Sequence, residues 1–197
     1  GDYDKQAEMD DSSTINEDKG LAGGGTSTGT SLTVSLASDT PATGIIVGNS
    51  INNKFTKVNL TASADGDIVI DQLTVERGGT VASDGAFDSL AIIDAATNTR
   101  IGNTKTINSQ HMAVFNKDIT IPAGTTKSIY LVGNMGSLAT KAGEIPTLNL
   151  YSVQLAGNAA VIGNLPIVGN YQQLNGTITI GALSVSDGSN NPVASTK

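Results

Sequence analysis

Apolar and polar residues alternate along short stretches of the chain from Leu32 onward. Alternation places the apolar side chains on one face of a strand, so each stretch predicts a half-buried β-strand. The predicted strands cover residues 32–36, 55–60, 68–75, 87–93, 113–121, 128–132, 147–155 and 178–185. No window of the length of a typical helix shows a helical stripe of apolar residues.

Turn-forming pairs such as Asp65-Gly66 and Asp84-Gly85 separate the predicted strands. Many short strands at this spacing predict an all-β protein, an immunoglobulin-like Greek-key β-sandwich with an extended N-terminal leader. The chain has no Cys and no Trp, so it lacks the disulfide and the buried Trp of antibody domains. We expect one sandwich domain over residues 31–186 and a C-terminal tail over 187–197.

Residues 1–30 differ in composition from the rest of the chain. Residues 1–20 hold seven acidic residues and two lysines, which is −5 of the net charge of −7. The Gly/Ser/Thr-rich stretch 20–31 that follows is typical of a flexible linker. We therefore expect an acidic leader or linker over residues 1–30 that lies along a neighbouring copy of the chain.

Charge and hydropathy exclude two classes of partner. The remaining 177 residues are nearly balanced, with 11 acidic and 9 basic residues, and no basic stripe is present. This composition argues against nucleic-acid binding. No run approaches the ~18 apolar residues of a membrane span, and no hydrophobic signal region opens the chain, so a secreted form would be the mature one.

Four stretches carry a family resemblance: SLTVSLASDTPATG (31–44), FTKVNLTASADGDIVIDQLTVER (55–77), FDSLAIID (87–94) and ITIPAGTTKSIYLVGNM (119–135). In composition and order they resemble a repeat module of large bacterial cell-surface and S-layer-like proteins, over roughly residues 30–186. The resemblance implies an extracellular β-sandwich with a structural role and supplies no catalytic residues. Those proteins often string several modules together; a single module with an acidic leader puts a covalent array in doubt and leaves a noncovalent one open.

One predicted strand occurs twice, because TSLTV at 30–34 aligns with GTITI at 176–180. In a tandem protein, the closing segment of one module is the opening strand of the next. In a single module the second copy pairs within its own domain or enters the sheet of a neighbour. Head-to-tail repetition of the second contact builds an open filament. The candidate strand-exchange residues are Leu32, Val34, Leu36, Ile178, Ile180, Leu183 and Val185.

Two other readings of the repeat stay open. Alternating Thr/Ile strands are common in sandwiches, so the similarity of the two copies can be a coincidence of composition. The leader is a competing donor, although its few apolar residues are irregularly spaced for a strand.

The chain offers little of the chemistry that catalysis needs. His111 is the only histidine and lies in a turn-like setting, which is more typical of a surface residue than of a catalytic base. Without Cys, and without a G-x-S-x-G or phosphate-loop motif, the usual triads and zinc sites are excluded or lack required residues. We expect no enzyme activity.

Oxygen-rich turns supply weak calcium candidates, and the chain implies no other cofactor. The candidates are Asp65, Asp67, Asp71, Asp84 and Asp88. Their spacing does not fit an EF-hand, and an Asp-Gly pair is more often simply a turn. Two N-x-T sequons make Asn59 and Asn175 candidates for N-glycosylation.

Two functional hypotheses follow. The first is a secreted structural subunit that polymerises with copies of itself into a pilus-like filament or surface layer, by β-strand addition of the donor-strand type. Such pairing would also cover exposed sheet edges in a protein without disulfides. The alternative is a monomeric cell-surface adhesin or carbohydrate-binding module; the absence of Trp and the presence of only four Tyr count against sugar binding.

Overall fold

The computed structural model describes residues 29–179. These residues form eleven β-strands and a single 3-10 turn, Asp84–Ala86. The strands are β1 (Ser31–Leu36), β2 (Ile45–Gly48), β3 (Asn53–Ala62), β4 (Ile68–Gly78), β5 (Phe87–Asp94), β6 (Arg100–Lys105), β7 (Met112–Ile121), β8 (Thr126–Met135), β9 (Thr147–Leu155), β10 (Ala160–Ile162) and β11 (Gln173–Thr179). Over this range no helix has the length and apolar character needed to cross a membrane.

The strands form three sheets. The largest has the order β10-β1-β3-β8-β5-β6, the second has the order β7-β4-β9, and the third pairs β11 with β2. Neighbouring strands are antiparallel except in the pairs β1–β10 and β2–β11, which are parallel. The sheets pack as a sandwich, so the prediction of an all-β sandwich is confirmed, while its immunoglobulin-like Greek-key detail stays a prediction.

A single large core joins the two larger sheets. Leu60 of β3 and Leu131 of β8 are fully buried on one side, and Leu73 of β4 and Leu150 of β9 meet them from the other. Burying a side chain of this size contributes roughly 1.5–3 kcal/mol relative to leaving it exposed. The alternation along each strand therefore sets which face turns inward.

The predicted strands agree with those of the structure over residues 31–155. Each of the first seven predicted stretches overlaps a strand, and the bounds predicted for the last of them, 147–155, are those of β9. The alternation does not predict β2, β6 or β10, which are four, six and three residues long. The last predicted strand, 178–185, overlaps only the end of β11, and its residues 180–185 lie outside the described range.

Two sides of the sandwich expose strand edges. On one side, β6 ends the six-stranded sheet and β7 ends the three-stranded sheet, and the two strands lie next to each other. On the other side, β10 and β1 border the six-stranded sheet, and Ile167 forms an antiparallel bridge to Leu150 of β9.

Candidate functional site

Strand β1, the first copy of the repeated segment, is integrated into the sandwich. It pairs with β3 over five residues, from Leu32 opposite Ala62 to Leu36 opposite Val58. Leu32 and Val34 are buried in the core, at 0% and 2% exposure, because alternation directs both inward. Leu36 is 42% exposed, so the third candidate of this copy lies outside the core.

The outer edge of β1 is covered by only a short strand. β10 pairs with it in parallel over three residues, with Val161 opposite Leu32. Gly163 follows, with φ +136, and an added Cβ would come within 2.3 Å of the Val34 carbonyl oxygen. This close crossing needs a glycine, since any side chain would strike the β1 backbone.

The second copy begins where β11 becomes irregular. β11 pairs with β2 at 173–175, and the pairing resumes only at Thr179 opposite Gly48. In between, Asn175 Oδ1 accepts hydrogen bonds from the backbone N–H of Thr177 at 2.9 Å and of Ile178 at 2.8 Å. The Asn175 side chain thus replaces the ladder bonds that the backbone loses there.

The two copies of the repeated strand lie in unlike environments. Leu32 is fully buried, whereas Ile178, which aligns with it, is 53% exposed. Ile180, Leu183 and Val185, the remaining candidates of the second copy, lie outside the described residues. Among the described candidates, Leu32 and Val34 are buried within their own domain and Ile178 is exposed on β11.

His111 belongs to a compact charged cluster that the sequence does not reveal. Its Nδ1 lies 2.7 Å from Asp84 Oδ2 and 2.8 Å from Arg77 Nη2, and Arg77 Nε donates to Asp84 Oδ1 at 2.8 Å. The two contacts of Nδ1 need different tautomers, because a carboxylate only accepts and a guanidinium only donates. The Arg77 side chain is only 8% exposed, so Asp84 is the counter-charge that compensates its burial.

The environment of Asp84 sets its protonation. Burial alone would raise the pKa of Asp84, but hydrogen bonds from His111 and Arg77 outweigh it and hold the pKa below its usual value. The hydroxyl of Ser83, the residue before Asp84, donates to Glu144 at 3.0 Å instead of contacting His111. Among the hydrogen bonds of residues 29–179, none joins the His111 ring to a hydroxyl group. The cluster therefore lacks the nucleophile-to-base contact of a catalytic triad there.

The remaining calcium candidates are dispersed. Asp67 Oδ1 accepts from the Ala123 backbone N–H at 2.8 Å, next to Asp65 in the β3–β4 turn. Asp71 lies in β4 and Asp88 in β5. Within the described range, no three His, Asp or Glu residues form a group that could hold a metal ion.

The two sequon asparagines differ in their surroundings. The Asn59 side chain lies on β3 and accepts a hydrogen bond from Ser128 Oγ at 2.7 Å. Asn175 is engaged by Thr177 and Ile178, as described above, and its Oδ1 also accepts from Thr177 Oγ1 at 3.0 Å. Both side chains are thus held by hydrogen bonds in the folded domain.

A cleft with a volume of about 370 Å³ has a lining of mixed polar and apolar character. Lys57, Lys127 and Asp94 contribute charges to it, and the rest of the lining combines Thr and Ser residues with Ala95, Ala96 and Pro122. Lys127 forms an ion pair with Asp94. The hydrogen bond from Lys127 outweighs the effect of burial and holds the pKa of Asp94 below its usual value. The volume falls within the range of small-molecule sites, roughly 300–1,000 Å³.

The geometry of residues 29–179 defines the class of protein as an all-β sandwich with two exposed edges. In comparisons with known proteins, the chain matches no protein-family model, and no curated protein is significantly similar to it in sequence.

Proposed function

We propose that the protein is an extracellular structural subunit that polymerises by donating the second copy of the repeated strand to another copy of the chain. Residues 177–185 of one subunit take the place of β1 in the next. Each subunit then donates one strand and accepts one, so the contact propagates as an open filament or layer. The resemblance to modules of bacterial surface proteins supports the extracellular location.

The observation that carries the proposal is the contrast between Leu32 and Ile178. At matching positions of the repeat, the core buries Leu32 completely, while Ile178 remains 53% exposed. Ile178 belongs to a copy of a core strand, yet its apolar side chain is exposed to water. Burial in the β1 position of a neighbour would remove it from water.

The two copies are matched well enough for one to replace the other. Alignment places Ile178 and Ile180 where Leu32 and Val34 enter the core, and Ala182 where exposed Leu36 lies. Exchanges between aliphatic side chains of similar volume usually cost less than about 1.5 kcal/mol. The donated strand would have to form again the ladder that β1 makes with five residues of β3, whereas on its outer side β1 pairs with only three residues of β10.

Electron microscopy and sedimentation of the full chain test the proposal. We expect regular fibres that lengthen with protein concentration, and their loss in the Ile178→Asp/Ile180→Asp variant. The matched control is Ile51→Asp, which changes a residue that is 72% exposed and lies outside both copies. It should assemble as the unchanged chain does. Monodisperse monomers of the unchanged chain at all concentrations would overturn the proposal.

The cleft that Lys57 and Lys127 line favours a second candidate, a monomeric surface adhesin or carbohydrate-binding module. Its Lys57, Lys127 and Thr/Ser hydroxyls can hydrogen bond to an acidic sugar. Calorimetric titration with uronic acid oligosaccharides tests this candidate: saturable binding that Lys127→Ala abolishes would support it. Polymerisation without saturable binding would support the filament proposal instead.

A further inference from the structure

Three cations of the described range form neither an ion pair with a carboxylate nor a cation–π contact there, and all three lie on β6 and β7. Of the eight Lys and Arg residues in the described range, four form ion pairs with carboxylates: Lys57, Arg77, Lys127 and Lys141. Lys54 lies over the Tyr130 ring, 4.3 Å from its centroid. The remaining three are Arg100 and Lys105 on β6 and Lys117 on β7.

Lys105 and Lys117 flank a shallow groove between the two strands, which we call the β6–β7 groove, and Arg100 lies next to its lining residue Ile101 in sequence. Lys105 and Lys117 line it together with Ile101 and the buried Phe115, and its volume is about 100 Å³. Gly102 has φ +71, and an added Cβ would lie 3.3 Å from Lys117 Cβ, so the two strands approach closely here. Asp118 is the one carboxylate of these two strands, which leaves the groove with a net positive charge.

The segment of opposite charge within the same chain is the acidic leader. Residues 1–20 carry seven acidic residues and two lysines. The rest of the chain supplies no comparable run of negative charge. Charge complementarity of this kind favours association, and it weakens as salt shortens the Debye length from about 10 Å at 0.1 M.

The leader can reach the groove of its own domain. β1 and β6 are separated by four strand spacings in the six-stranded sheet, or about 19 Å. Residues 20–30 form a Gly/Ser/Thr-rich stretch of 11 residues, for which the r.m.s. end-to-end distance is about 18 Å. The first residue of β1 also lies at the end of the sheet where β6 begins, as the successive registers require.

We propose that the acidic leader, residues 1–20, binds the β6–β7 groove of its own chain through Arg100, Lys105 and Lys117. A segment tethered by a linker of matching length meets its site at about millimolar effective concentration, which favours its own domain over a neighbour. The bound leader would cover two adjoining strand edges that could otherwise pair with another sheet. It leaves the opposite side, with β1 and β10, as the surface open to other copies. This proposal is independent of the filament proposal.

Paramagnetic relaxation measured by NMR tests the proposal on the full chain. The chain has no Cys, so the Gln6→Cys variant carries a single spin label within the leader. We expect strong broadening of the amide signals of Gly102, Asn103 and Asn116 at 50 mM salt. The broadening should disappear in 0.5 M NaCl and in the Lys105→Glu/Lys117→Glu variant. It should persist in the matched control Lys54→Glu, which reverses one cation outside the groove.

A mixed sample separates the chain's own leader from that of a neighbour. In it, the spin label is on unenriched chains and the amide signals come from ¹⁵N-labelled chains without a label. The proposal is supported by broadening in the sample in which every chain carries both the spin label and ¹⁵N, but not in the mixed sample. Equal broadening in both samples would assign the groove to a neighbour's leader and overturn it. Absence of broadening in either sample would also overturn it, and the unpaired cations would then only protect the edges.

Discussion

Thr33 of β1 lies directly opposite Thr61 of β3 in the antiparallel register, and both side chains point away from the core. In the repeat, Thr179 aligns with Thr33. Within one subunit Thr179 lies opposite Gly48, close to the start of β3. Thr61 is eight residues beyond the first residue of β3, which is roughly 27 Å along the strand. Within one subunit the two residues are therefore too far apart for contact, and strand exchange would bring Thr179 of one subunit opposite Thr61 of another.

The first prediction uses this distance. In the Thr61→Cys/Thr179→Cys variant we expect mild oxidation to give a covalent ladder on a nonreducing gel, because a disulfide requires Cα atoms about 4.4–6.8 Å apart. The Thr33→Cys/Thr61→Cys variant is the positive control for the register of the unassembled subunit, in which it should form a link within one chain. Thr61→Cys alone should stop at dimers. A ladder no stronger than that of the single variant would contradict replacement of β1.

The second prediction concerns the anchoring of β1. Leu32→Ala should lower the free energy of unfolding by about 2–5 kcal/mol, because it opens a cavity at a fully buried position. Leu36→Ala, on the same strand but 42% exposed, should change it by less than about 1 kcal/mol. Urea denaturation at pH 7 measures both. Equal losses in the two variants would show that β1 is not held by its inward face.

Much of the fold is predictable from the sequence because alternation reports burial directly. β9 is predicted with its observed bounds, since buried Leu148, Leu150 and Val153 recur along it, although Thr147 and Asn149 beside them are buried as well. β6 and β10 are missed for the opposite reason: all three residues of β10 are exposed, and β6 has no buried residue. A strand held only by its ladder bonds leaves no periodic signal in the sequence.

The candidate sites were less predictable because they depend on contacts distant in sequence. Asp84 was considered as a calcium ligand from its Asp-Gly turn, yet it pairs with Arg77, seven residues earlier, and with His111, 27 residues later. The repeated strand was visible in the sequence, but only burial distinguishes Leu32 from Ile178. The convergence of Lys105 and Lys117 follows from the meeting of two sheets, which local pattern does not encode.

The third prediction concerns the packing of two aromatic rings. Phe55 and Phe87 lie with their centroids 5.5 Å apart, and a Cβ added at Gly133 would come within 2.7 Å of Phe87 and 2.9 Å of Phe55. Gly133→Ala should therefore destabilise the domain by about 1–3 kcal/mol through overpacking. The matched control is Gly85→Ala, whose nearest neighbour is 4.0 Å away. Thermal denaturation that ranks the two variants equally would contradict this tight contact.

The fourth prediction follows from the lowered pKa of Asp84. A carboxyl group whose pKa is lower in the folded state stabilises the fold above its unfolded pKa, near 3.8. It loses that contribution as the pH falls through the folded value. Asp84→Asn should therefore cost about 1–2 kcal/mol at pH 7, because it leaves the buried guanidinium of Arg77 without its counter-charge. The cost should be nearly constant down to about pH 5 and should shrink below about pH 4.

Urea denaturation of the unchanged chain and of Asp84→Asn, from pH 7 to pH 2.5, measures this dependence. Asp71→Asn is the matched control, since Asp71 is exposed and takes part in none of the ion pairs of the described residues. Its effect should be within about 0.5 kcal/mol at pH 7. A cost of Asp84→Asn that stays the same at pH 2.5 would show that the loss comes from altered packing and not from the charge that Asp84 presents to Arg77 and His111.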